Sequence, residues 1–207
     1  MSARPWPSSR RIWHKPSNRP YAYGNSLHGI HAAKQARAWG IDMDAHVTKD
    51  GIIVVTHWPR LMLRDAYRPA ASRLGRLRRV QSMTLEQVHQ LRSPWGRPLT
   101  AVEALNQTHK RGLRLCLEVK EDRAFETATT YASLARRCER LGISPALVYV
   151  MTLSNLGSGD APLRRLRAAK AAGFSTVLLA HSQVPSYWTL GASPIDYVRG
   201  PRARWKA

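Results

Sequence analysis

Ile41-Asp42-Met43-Asp44-Ala45-His46-Val47, followed by Thr48-Lys49-Asp50-Gly51 and then Ile52-Ile53-Val54-Val55-Thr56-His57, reads as a strand, a turn and a second strand. Side chains at i and i+2 of a strand share a face, so Asp42 and Asp44 point one way and Met43 the other. Two carboxylates placed like this repel. Either one is protonated or a cation lies between them, and a hard, oxygen-binding ion such as Mg²⁺ or Ca²⁺ suits the pair. Asp50-Gly51 between two apolar runs is a hairpin signal. The second run ends at His57 and brings a titratable imidazole towards the acidic pair. His46 lies on the same face two residues past Asp44, and taken alone reads as a structural histidine.

Working outward, strands and helices alternate. Arg11 to His14 reads as a short first strand, followed by a loop to Gly24 and a helix over about 26–39 capped by Asn25 or Ser26. After the hairpin, residues 58–81 are arginine-rich and without periodicity, which predicts a surface loop. Met83 to Val88 starts a short helix and Leu99 starts a longer one reaching Lys110. Then come a strand over 113–120, a helix over 124–141, a strand over 146–153, a helix over 161–172 and a strand over 176–181. Ser186 to Leu190 and Tyr197-Val198 each suggest one further strand. Alternation of this kind implies a parallel sheet covered by helices, a TIM-type (β/α) barrel of six or seven strands, abbreviated towards the C-terminus. A strand edge left open would be covered by the tail or by a second copy of the chain.

The hairpin resembles the core signature of the glycerophosphodiester phosphodiesterase family, an acidic-x-Asp strand, Thr-Lys-Asp-Gly, and a strand ending in His. Upstream, the family's His-Arg-Gly and Glu-Asn-Thr are matched in place by His14-Lys15-Pro16 and Gly24-Asn25-Ser26. Downstream, its Glu-x-Lys strand is matched by Glu118-Val119-Lys120. Among the departures, Asp42 stands for Glu, Lys15 for Arg, Gly24 for Glu, and Trp58 for the Asp after the second histidine. The resemblance runs from Ile12 to Asp122 and is architectural beyond. It implies a single phosphodiesterase domain that cleaves glycerophosphodiesters to glycerol 3-phosphate and an alcohol. Asp42, Asp44 and Glu118 would hold a divalent metal, Mg²⁺ or Ca²⁺. His14 and His57 would serve as general acid and base, and Lys15, Asn25 and Lys120 would contact substrate. For Glu118 and Lys120 the plainer reading is a buried ion pair, and such pairs rarely repay their desolvation without a role. His28, His31, His89, His109 and His181 read as surface or structural, and Trp188 as a candidate pocket residue.

The 207 residues carry a formal charge of +20, with no acidic residue before Asp42 and arginines grouped at 73–79, 164–167 and 199–204. Such a balance favours anionic partners, phosphate esters or an anionic membrane surface. A nucleic-acid partner rests on charge alone, since no zinc-finger or RNA-recognition signature is present. The same barrel is also compatible with a phospholipase D that cleaves lysolipids, or with a protein that has lost activity. Only two cysteines, Cys116 and Cys138, argue against a disulfide framework or zinc cluster. With no membrane-length apolar run and no signal-peptide core at the start, the chain reads as soluble and cytoplasmic.

Overall fold

The computed structural model describes residues 4–5, 7, 10–15, 19, 21–57, 68–69, 79–120, 123–153, 160–179 and 197–199. In chain order the elements are β1 (Arg4–Pro5), β2 (Ile12–Trp13), α1 (Tyr21–Gly24), α2 (Leu27–Gln35), β3 (Gly40–Val47), β4 (Ile53–Val55), β5 (Arg68–Pro69), α3 (Leu85–His89), β6 (Leu91–Arg92), β7 (Leu99–Thr100) and α4 (Ala101–Lys110). They continue with β8 (Arg114–Val119), α5 (Ala132–Arg140), β9 (Tyr149–Leu153), α6 (Ala161–Ala171), β10 (Ser175–Leu179) and β11 (Tyr197–Arg199). Two compact units emerge, one of residues 11–117 and one of residues 1–10 with 118–207, and β8 carries the chain from the first into the second.

In the unit of residues 11–117, β2 pairs parallel to β3 with Trp13 opposite Ile41, and β3 then pairs antiparallel to β4, which pairs with β7. The expected hairpin is present, and Gly51 sits at φ +79°, a left-handed turn position that glycine adopts without strain. Alternation along β3 is visible in burial: Ile41, Met43 and Ala45 are fully enclosed, while Asp42 and Asp44 on the other face are less so. The Ser26 hydroxyl caps α2 by accepting from the His28 and Gly29 amides at 3.2 and 3.4 Å. That helix ends at Gln35 instead of near Trp39, because Arg37 turns left-handed at φ 50°. Tyr21–Gly24, expected as loop, forms the single-turn α1.

Capping boxes start both later helices of this unit. Thr84 pairs with Gln87 at α3 and Thr100 with Glu103 at α4, so the longer helix begins at Ala101 and Leu99–Thr100 is spent as β7. Glu103 is also gripped by the Arg97 guanidinium. Burial alone would raise its carboxyl, but that ion pair and the Thr100 amide hold it down at about 2. Ala22, Val54, Val80, Met83, Val88 and Leu91 form a local core beneath β4. Within the stretch expected to be plain loop, β5 pairs antiparallel with β6, and a 3₁₀ turn covers Val80–Ser82.

The other unit orders its strands β1-β11-β10-β9, all parallel, and α6 packs on β9 and β10. The strand expected at Tyr197-Val198 is thus part of this sheet. The helix expected over 124–141 is split into 3₁₀ turns at Arg123–Glu126 and Ala128–Tyr131 before α5. The cause is local: the Thr127 and Thr130 hydroxyls both bond back to the Ala124 carbonyl, offering the backbone a competitor to helix. Phe125, Tyr131 and Phe174 then meet at ring separations of 5.9 and 5.8 Å to close the core. Cys138, inside that core, has its thiol pushed up to about 11 by burial, which suits a packing role and not a reactive one. Trp58, Asp122, His181, Trp188 and the strand expected at Ser186 to Leu190 lie outside the described residues. Among the described residues, no helix is long and apolar enough to cross a membrane.

Candidate active site

Parallel pairing of β2 with β3 sets the first contact. Trp13 lies opposite Ile41, so the next residues, His14 and Asp42, are neighbours on the opposite face. His14 Nδ1 and Asp42 Oδ2 meet at 2.7 Å, with the Asp42 side chain 7% exposed. A carboxylate on Nδ1 fixes the ring's orientation.

Asp44 is fixed by Asn25, the residue before the α2 cap. The Asn25 Nδ2 donates to Asp44 Oδ2 at 2.9 Å, and Asn25 Oδ1 accepts from the Asp44 amide at 2.8 Å. Asn25 is 2% exposed, so this two-point clamp forms in a dry setting where hydrogen bonds are strengthened. The clamp also sits where β3 leaves its parallel partner for the hairpin. Expected as a substrate contact, Asn25 is found holding a carboxylate.

His57 follows β4 by two residues and is half-buried. One contact holds its main chain and one the residue before it: His46 Nε2 donates to the His57 carbonyl at 3.3 Å, and the Thr56 amide donates to the Asp44 carbonyl at 2.9 Å. His46, read from sequence as structural, is therefore the anchor of the second candidate catalytic histidine. Its signal was the i+2 spacing from Asp44.

Lys15 follows His14, and its ammonium donates to the Arg19 carbonyl at 2.8 Å. Its stem fills the space beside Gly24, where an added β-carbon would stand 2.9 Å from the Lys15 β-carbon. The lysine stem thus lies over the position of Gly24. Among the other histidines, His28, His31 and His109 are exposed on helices. His89 is tied to Arg97 at 2.7 Å; burial and that guanidinium lower its affinity for a proton, which keeps it neutral and structural.

In the second unit, Glu118 and Lys120 lie two apart at the end of β8, and the Lys120 ammonium donates to Glu118 Oε1. Glu118 is 2% exposed, so the carboxylate is buried with its cation beside it. Among the described residues, no three His, Cys, Asp or Glu side chains gather as a metal-binding group. Asp42 and Asp44 share one strand face, Asp42 paired with His14 and Asp44 held by Asn25.

Residues 14–155 match the family model described as the glycerophosphoryl diester phosphodiesterase family. Among solved structures, the chain is similar to a Silicibacter pomeroyi protein named for glycerophosphoryl diester phosphodiesterase activity, at 21% identity and TM-score 0.63, covering 92% of this chain and 71% of that one. It is also similar to a glycerophosphodiester phosphodiesterase from Parabacteroides distasonis, at 16% identity and TM-score 0.51, covering 93% and 90%. Comparison with curated proteins gave no match. The structural likenesses carry the fold, the α/β barrel of TIM type that the alternation of strands and helices implied. With the family model spanning more than half of its length, the chain belongs to the glycerophosphoryl diester phosphodiesterase family, and is a phosphoric diester hydrolase.

Proposed function

We propose that this protein hydrolyses glycerophosphodiesters to glycerol 3-phosphate and an alcohol, with His14 and His57 moving the protons. The observation that carries the reading is the His14–Asp42 pair at 2.7 Å, beside an Asp44 clamped by Asn25. A histidine held at Nδ1 by a carboxylate is fixed in orientation, which suits a general base. His14 takes the proton of the nucleophile on Nε2, and Asp42 stabilises the imidazolium that forms. His57, held by its carbonyl to His46, gives a proton to the departing alkoxide. The nucleophile is either water or the neighbouring hydroxyl of the glycerol, the latter passing through a cyclic phosphate.

A divalent cation held by Asp42, Asp44 and Glu118 would neutralise the charge that grows on the phosphoryl oxygens. The place of Glu118 in that set rests on the Glu-x-Lys pattern of β8. Lys15 and Lys120 add positive charge for the phosphate, as point charges without the two-pronged geometry of arginine. The cytoplasm is the proposed setting.

Leaving-group chemistry tests the proton assignment. Bis(p-nitrophenyl) phosphate releases a stable phenolate and needs no acid, whereas glycerophosphocholine releases a basic alkoxide. His57→Ala is expected to lose about 10²–10⁴-fold on glycerophosphocholine and under about 10-fold on the nitrophenyl ester. Equal losses on both substrates would contradict the role given to His57.

A further inference from the structure

Thr56 carries a hydroxyl that the fold encloses and does not use. The residue is 1% exposed, and its Oγ1 has no hydrogen-bond partner among the described residues. Other buried threonines differ. Thr48 bonds the Ile52 carbonyl, Thr100 the Glu103 carboxylate, Thr108 the Ala104 carbonyl and Thr152 the Val119 carbonyl. Burying a hydroxyl without a partner is unfavourable, so an exception to a well-satisfied set asks for a ligand.

Register gives its place. Ala45 pairs with Val55 and His46 with Val54, so one step further Asp44 lies opposite Thr56, as the 2.9 Å bond from the Thr56 amide to the Asp44 carbonyl records. Opposed residues of an antiparallel pair project to one face with β-carbons about 4.5–5.5 Å apart. The Thr56 side chain therefore stands on the carboxylate face, beside Asp44 and one residue before His57. Asp44 Oδ2 accepts from Asn25, not from Thr56.

We propose that Thr56 is a substrate contact, its hydroxyl donating to a non-bridging oxygen of the bound phosphodiester, an inference that rests on the function proposed above. A neutral donor among carboxylates adds no charge to the site. Hydrogen bonds from a hydroxyl to an anionic oxygen are short and strong, more so in a dry environment.

The test compares Thr56→Val, which keeps the shape and removes the hydroxyl, with Thr56→Ser, which keeps the hydroxyl. The expected result on glycerophosphocholine is a fall in kcat/KM of about tenfold or more for valine and near-wild-type turnover for serine. The thermal midpoint of Thr56→Val is expected to stay level or rise, because an unsatisfied hydroxyl has been removed from the interior. Wild-type kcat/KM in Thr56→Val would overturn the proposal. Thr56→Ala serves the same comparison if valine is not accommodated. Absence of turnover in the wild type would instead overturn the function, and protection by glycerol 3-phosphate then decides Thr56 by itself. A smaller rise in melting temperature for Thr56→Val than for wild type supports the contact, and equal rises overturn it.

Discussion

His14 and Asp42 show how far one contact reaches. Asp42 is a methylene shorter than the glutamate usual in the family, yet the parallel register of β2 and β3 sets it directly beside His14, and Oδ2 meets Nδ1 at 2.7 Å. Asp42→Asn keeps the shape and removes the charge that stabilises an imidazolium; kcat on glycerophosphocholine is expected to fall by about 10²-fold or more. Steady-state kinetics check this, and a loss under about threefold would remove Asp42 from the proton relay. Asn25→Ala takes both hydrogen bonds from Asp44, and affinity for Mg²⁺ or Ca²⁺ is expected to weaken about 10–100-fold, read by calorimetric titration. Unchanged affinity would show that Asp44 needs no clamp. Of these residues, Asp42, Asp44 and His57 were legible because strand periodicity and the Asp-Gly turn place them. Asn25 as a clamp and Thr56 as a buried donor were not, since both depend on cross-strand register and on a loop packing against it.

At the scale of elements, local chemistry decided what sequence could show. The β3-turn-β4 hairpin, the Ser26 cap and the Thr100–Glu103 box are signals contained within a few residues, and all formed. The two-residue strands β1 and β5 carry no pattern of their own and exist through distant partners, β11 and β6. Before α5, threonine hydroxyls competing for backbone carbonyls broke a helix that periodicity alone implied. Glu103 links cap, ion pair and helix start, and its carboxyl lies at about 2 against an ordinary 4.5. A depressed folded-state value gives stability that is full above pH 4.5 and fades as pH falls towards 2. Because the side chain is about one-third exposed, solvent screening trims the effect, and Glu103→Gln is expected to cost about 1–2 kcal/mol at pH 7. Denaturant melts should show the gap between wild type and variant closing below pH 4. A gap that holds constant down to pH 2 would mean that the charge is not what matters.

The whole molecule is strongly basic, with a formal charge of +20, and the substrates proposed for it are phosphate esters. Charge of this size acts on encounter and not on fold. For the anionic bis(p-nitrophenyl) phosphate, kcat/KM is expected to fall several-fold between about 0.01 and 0.15 M salt as the screening length shrinks from about 30 to about 8 Å. Zwitterionic glycerophosphocholine should respond much less, and an equal response would place the salt effect elsewhere than in encounter. The central claim, that carboxylates gathered on β3 serve a metal-assisted phosphodiesterase, is tested most directly by following glycerol 3-phosphate release from glycerophosphocholine in wild type and Asp44→Asn, with EDTA and then with added Mg²⁺, Ca²⁺ or Mn²⁺. Release that EDTA abolishes, that one of the metals restores and that Asp44→Asn lacks is the predicted result. Release indifferent to EDTA, or none with any metal from folded wild-type protein, would contradict it.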